Sequence, residues 1–173
     1  IKFPLEVVKA VNKAKKDFGK EDFIIGYRFS PEELENPGIT LDDTLYLVDT
    51  LANEEIDYLH ISLSKYNNTS IRDKDDKRII GKLILEKIGG RKPLIGVGSI
   101  YTKEDAKGAL ENVGYDLIAL GHVIITDPDW VNKVKNNEKI ETVVHANNLE
   151  KQKIPKKMMT MLEASEGWFE IEK

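Results

Sequence analysis

Two short apolar runs in this chain end in glycine: Leu94-Ile95-Gly96-Val97-Gly98-Ser99-Ile100 and Asp116-Leu117-Ile118-Ala119-Leu120-Gly121-His122. A stretch of helical character, opened by Tyr101-Thr102-Lys103-Glu104-Asp105-Ala106, separates them. Runs this short and this apolar read as strands buried on both faces, as parallel strands are. Glycine at the carboxyl end of such a strand lets the backbone approach a ligand closely.

The same alternation runs along most of the chain. Residues 4–17 predict an amphipathic helix with Leu5, Val8, Val11 and Ala14 on one face. Residues 23–29 read as a strand, and residues 30–40 as a loop marked by Pro31, Pro37 and Gly38. Thr40 is a good N-cap, and Asp43 makes a weaker form of the capping box for a helix over 41–52. Residues 56–62 give a second strand and 65–76 a polar loop. A helix over 77–88 stops at Gly89-Gly90. The third strand is 94–97, the next helix 103–112 and the fourth strand 117–120. Asp127-Pro128-Asp129-Trp130 opens a further helix.

Beyond Glu138 the pattern weakens, with helix expected at 140–149 and 156–162. Trp168 and Phe169 near the end should bury their rings against something. The expected division is residues 1–137, then a C-terminal helical extension over 138–173.

Strictly alternating strands and helices mean an α/β fold with a parallel sheet. Four strands make either an open sheet or half of a barrel. The two glycine-tipped strands suit the phosphate cradle of a TIM (β/α)8 barrel, which is built by the loops after strands seven and eight. A free half barrel would expose two strand edges, so a missing N-terminal half-barrel or a second copy is the expected partner. Ile1 stands where an initiator Met would be, and nothing before residue 4 could form a first strand. Either processing removed a leader or this is a fragment of a longer chain, and the fragment is the expected reading.

Composition narrows the function. The net charge of -4 argues against nucleic acid as a partner, since phosphate backbones call for clustered Lys and Arg. With no cysteine, disulfides, Cys-based zinc sites and thiol chemistry in this segment are excluded. Three scattered histidines have no metal-ligand spacing, so no metal is expected. No apolar run is long enough to span a bilayer and no secretion signal is visible, so no membrane partner and a cytoplasmic location are expected.

Four markers lie in order along residues 3–134. They are Tyr27-Arg28-Phe29-Ser30, then Asp57-Tyr58-Leu59-His60-Ile61-Ser62, then Val97-Gly98-Ser99-Ile100, then Leu120-Gly121-His122 followed by Asp127-Pro128. In this order and spacing the chain resembles the carboxyl-terminal half of the old yellow enzyme family, the FMN-dependent NAD(P)H:flavin oxidoreductases. It is most similar to their bacterial NADH-dependent branch. The resemblance implies that the four strands are strands five to eight of the barrel and that FMN is the cofactor. The parent enzyme would take a hydride from NAD(P)H and pass it to a small-molecule acceptor such as an activated alkene. It also implies that this half alone is inactive and binds FMN weakly or not at all.

The resemblance suggests cofactor-binding residues and, in this half, no catalytic ones. Arg28 matches an Arg beside the flavin pyrimidine edge, where a guanidinium stabilises charge that reduction places near N1 and the C2 carbonyl. Its other reading is a surface ion pair. Gly98 and Gly121 are candidates for phosphate contact through backbone N–H groups, with Ser99 adding an N–H or its hydroxyl. The other reading of both glycines is simple packing.

His122 departs from the family, in which most members carry a phosphate-binding Arg. A neutral imidazole implies weaker anchoring, or compensation elsewhere; the other reading is a partly buried His with no ligand. Ser62 and Ser64 suit either a pocket wall or a turn. His60 reads as a core residue, His145 as a lone residue of the tail, and Asp73, Asp75 and Asp76 as a solvated run. Two alternatives stay open: a non-catalytic half-barrel that self-associates into a homo-oligomer, and a different phosphate-binding TIM barrel.

Overall fold

The alternation read from the sequence is present in the computed structural model, which describes residues 1–173. In chain order the elements are α1 (Lys2–Asp17), β1 (Gly26–Phe29), α2 (Leu41–Leu51), β2 (Tyr58–Ile61), α3 (Ile80–Ile88), β3 (Leu94–Val97) and α4 (Lys103–Lys107). They continue with β4 (Leu117–Ala119), α5 (His122–Thr126), α6 (Trp130–Asn136), β5 (Val144–His145), α7 (Lys156–Ala164) and β6 (Ile171–Glu172). Two compact bodies result: residues 1–98 with 107–119, and residues 99–106 with 120–173.

The first body is built on one four-stranded sheet, β1-β2-β3-β4 in sequence order and parallel throughout. Side chains alternate across a strand, so one face collects Phe29, Leu59, Ile61 and Leu94, all buried. Val48 and Leu51 of α2 and Ile80, Ile84 and Ile88 of α3 are buried too. The spacing of four on α3 draws its isoleucines into one stripe. Each of these fully buried aliphatic side chains contributes about 1.5–3 kcal/mol through removal from water. The register sets Arg28 beside His60, His60 beside Ile95 and Ile95 beside Leu117 on the opposite face. That row is open: Arg28 is exposed and Leu117 is 55% exposed.

Local chemistry explains the boundaries. Thr40 and Asp43 form the full capping box of α2, and Gly89 ends α3 in the left-handed conformation. Asp57 and Asp116 sit just ahead of β2 and β4, where each carboxylate accepts the backbone N–H of a neighbouring segment, from Ile25 at 2.7 Å and Leu94 at 2.8 Å. Tyr115 packs where Gly81 and Gly96 leave no Cβ in the way, and its hydroxyl donates to the Tyr66 carbonyl at 2.8 Å. Burial pushes this phenol's pKa up.

Several expected elements differ. β1 begins at Gly26, and Phe23 and Ile24 are exposed outside the sheet. The inner face of α1 uses Asn12 where Val11 and Ala14 were expected, because the Asn12 amide donates to the carbonyls of Val8 and Glu55 at 3.1 and 2.7 Å. Residues 108–113 wind as a π-helix, with the N–H groups of Gly114 and Tyr115 both reaching the Ala109 carbonyl.

In the second body, residues 138–173 pack with 120–137. Residues 140–149 are not the expected helix. They hold the short strand β5 and a 3-10 turn at Ala146–Asn148, because Val144 and His145 pair in parallel with Ile171 and Glu172 of β6. The core is Val144, Ile154, Met159, Leu162 and Phe169.

Gln152 is a buried polar centre: its amide nitrogen donates to the carbonyls of Thr126 and Val143, both at 2.7 Å, and its oxygen accepts the His145 N–H at 2.8 Å. Gln152→Leu leaves three backbone groups, the Thr126 carbonyl among them buried, without that partner, and unfolding in urea should show a loss of about 2 kcal/mol. No helix is long and apolar enough to cross a membrane.

Candidate functional site

Arg28 lies one residue before the end of β1, and parallel sheets gather ligand-facing groups at their strand carboxyl ends. Its Nη2 donates to the Ser62 hydroxyl at 3.0 Å, just past the end of β2. The rest of its planar donor fork stays available. Beside it on the sheet, His60 has a buried Nε2 with no hydrogen-bond partner. Burial lowers the His60 pKa, and the Arg28 charge adds to the effect. The imidazole is therefore neutral, and Arg28 is the cation of that row.

The loops that leave β1 and β2 are tied together. Buried Glu32 accepts hydrogen bonds from the Ser70 hydroxyl and the Ile71 N–H, each at 2.8 Å. Arg72 donates to the carbonyls of Glu33 and Glu35. A small cleft of about 130 Å3 opens there, lined by Ser30, Glu32, Ser62, Ser64 and Asn68 among others. Glu32 was not singled out in the sequence, since a lone Glu after a proline carries no pattern; its loop-to-loop bond appears only in three dimensions.

The two glycine-tipped strands are neighbours, with Val97 of β3 level with Ala119 of β4. The glycines differ. Gly98 is buried at φ 120°, and a Cβ there would meet the Leu63 carbonyl at 2.6 Å and the Lys65 nitrogen at 2.8 Å. The fold itself requires this glycine. Its carbonyl accepts the Tyr66 N–H at 2.9 Å.

In the second body, Ser99 is a non-glycine residue at φ 45°. This backbone conformation costs about 1–3 kcal/mol and concentrates at functional sites. Gly121 is exposed, and a Cβ there would meet nothing within 4 Å. No protein group demands a glycine at that position. His122, the first residue of α5, lies flat against Phe169 with ring centroids 3.8 Å apart and planes 17° apart, while Tyr101 meets it edge-on at 5.4 Å. Burial lowers the pKa of this imidazole.

His145 is not a lone residue: Glu141 and Glu172 flank its two nitrogens at 3.1 and 2.8 Å. It lines a cleft of about 800 Å3, which holds no residue singled out for cofactor binding. Asp127 pairs there with Lys133 at 2.6 Å.

Comparison with known proteins identifies the chain's relatives. The model of the NADH:flavin oxidoreductase / NADH oxidase family matches residues 1–141. "Probable NADH-dependent flavin oxidoreductase YqiG" of Bacillus subtilis (strain 168) is 42% identical over 168 residues, covering 96% of this chain and 45% of that protein. NADH:acrylate oxidoreductase of Vibrio harveyi is 41% identical over 139 residues, covering 79% of this chain and 14% of that protein. The chain thus spans under half the length of these relatives. Among solved structures, morphinone reductase superposes with a TM-score of 0.57 at 24% identity, covering 81% of this chain and 35% of that one, which relates the fold to the TIM barrels of the old yellow enzymes. With its parallel sheet and a family model matched over most of its residues, the chain belongs to the NADH:flavin oxidoreductase / NADH oxidase family, whose cofactor is FMN.

Proposed function

We propose that the chain supplies strands five to eight, the C-terminal half of a TIM (β/α)8 barrel, to an FMN-dependent oxidoreductase. Bound FMN supplies the hydride relay between NAD(P)H and an electron-poor acceptor such as an activated alkene. The relative named for acrylate, itself such an alkene, supports that acceptor class.

The residues fit the cofactor. Arg28 stands at a strand carboxyl end with only its Nη2 engaged, on the Ser62 hydroxyl, and the remaining donors of its fork carry the reading. Beside it the buried Nε2 of His60 is left without a protein partner. Arg28 serves the flavin pyrimidine edge. The phosphate is assigned to the N–H groups of Gly98 and Gly121, to Ser99 through its N–H or hydroxyl, and to His122 through a ring nitrogen.

Strands one to four of the barrel, the missing N-terminal half, complete the enzyme, and the location is cytoplasmic. Alone, the chain binds FMN weakly and reduces no acceptor. The exposed side chains of Phe23, Ile24 and Leu117 favour a second reading, in which two copies pair as a homo-oligomer. Sedimentation of this chain tests that reading, and a strict monomer defeats it.

For the enzyme, a polypeptide that adds the complementary half-barrel should purify yellow with FMN. It should oxidise NADH or NADPH when acrylate is supplied. A colourless, well-folded protein of that length that ignores added FMN would overturn the proposal.

A further inference from the structure

The ring of His122 is held by the end of the chain. Phe169 is 8% exposed and sits in the core of the second body with Val144, Ile154, Met159 and Leu162. The backbone fixes it on both sides: the Trp168 N–H donates to the Ser165 carbonyl at 3.1 Å, and the Glu170 carbonyl accepts the Val144 N–H at 2.9 Å. β6, with Ile171 level with Val144, follows at once. A ring anchored in this way is a rigid platform.

His122 stacks on that platform at 3.8 Å with a 17° tilt, and Tyr101 closes one edge. No protein hydrogen bond engages its ring nitrogens. The imidazole is thus fixed in orientation with its donor and acceptor atoms in the plane of the stack. The residue before it, Gly121, has open space where a side chain would point.

A short, neutral donor gains most from being ordered in advance, because the entropy of ordering is then not charged against binding. An aromatic face also stabilises an imidazolium, should a phosphate dianion draw a proton onto the ring.

We propose that Phe169 is a positioning residue for the FMN phosphate: it holds His122 in the orientation that donates to that phosphate, and so makes the C-terminal segment part of the cofactor site. This rests on the reading of His122 as a phosphate contact.

The test uses the 173-residue chain, with histidine-ring NMR during titration to millimolar FMN and with riboflavin, which lacks the phosphate, as the control. FMN should move the His122 resonances and riboflavin should not. Phe169→Leu should weaken FMN binding about tenfold, shrink the His122 response and leave riboflavin binding unchanged. Phe169→Tyr, which keeps the aromatic face, should stay within about twofold of the parent. If Phe169→Leu loses native spectral dispersion, Phe169→Met, whose unbranched side chain adapts to the gap without an aromatic face, takes its place. A parent chain whose His122 ignores FMN sinks both the phosphate reading and this inference. A His122 that responds equally in the parent and in Phe169→Leu, with equal FMN affinity, leaves the reading standing and overturns the inference alone.

Discussion

Gly98→Ala should destabilise the first body by about 3 kcal/mol or more, while Gly121→Ala leaves stability within about 0.5 kcal/mol. The two glycines look alike in sequence, each closing an apolar run, and differ in what surrounds them. At Gly98 the new methyl would lie 2.6 Å from the Leu63 carbonyl and 2.8 Å from the Lys65 nitrogen. Both are backbone atoms, which cannot rotate away as a side-chain end could. The φ of 120° adds a second cost, because side chains with a Cβ avoid that region. Overpacking a tight site costs about 1–3 kcal/mol, and the left-handed conformation adds about 1–2 kcal/mol.

At Gly121 neither cost applies, since φ is -121° and nothing lies within 4 Å of the added atom. Urea unfolding of both variants measures the contrast. FMN titration of Gly121→Ala then tests the proposed phosphate contact, with at least a threefold loss of affinity expected. Equal stability losses in the two variants would show that the backbone around Gly98 yields.

Arg28→Ala, in the flavin-loaded protein that contains this chain, should weaken FMN binding by about ten- to a hundredfold. Hydrogen bonds to a charged group contribute about 1.5–3 kcal/mol, and the affected fork has one protein partner, the Ser62 hydroxyl. The flavin potential should fall as well. Reduction adds negative charge on the pyrimidine side, and a cation there favours the reduced form; removing it makes reduction harder. A differential stabilisation of about 1.4 kcal/mol corresponds to about 30 mV for a two-electron couple. His60 is a poor substitute for the lost charge, because burial alone still disfavours its protonated form. Arg28→Lys should restore part of the potential but little of the affinity, since an ammonium lacks the planar fork. An unchanged potential and affinity in Arg28→Ala would remove Arg28 from the cofactor site.

Much of the fold was legible because it rests on local rules. The apolar run 94–97 is β3 as read, the capping box at Thr40 and Asp43 opens α2, and Gly89 ends α3. Each depends on side-chain period, on a hydroxyl and a carboxylate three residues apart, or on a residue tolerant of the left-handed conformation. The elements misread are those in which a distant partner decides. Residues 144–145 form a strand because residues 171–172 lie beside them. Asn12 faces inward because the Glu55 carbonyl, 43 residues away, accepts its amide hydrogen.

The candidate site divides in the same way. That Arg28, Gly98 and Gly121 stand at the carboxyl ends of the first, third and fourth strands is a property of chain order, and the sequence by itself determined it. It also determined that those strands are parallel, because βα alternation leaves no other economical path. Only the tertiary structure decided that Gly98 is confined by backbone while Gly121 is open, and that His122 rests on a ring 47 residues further along. Pattern reports which face a side chain takes; what stands opposite that face depends on how remote segments close, and no local window of residues contains that information.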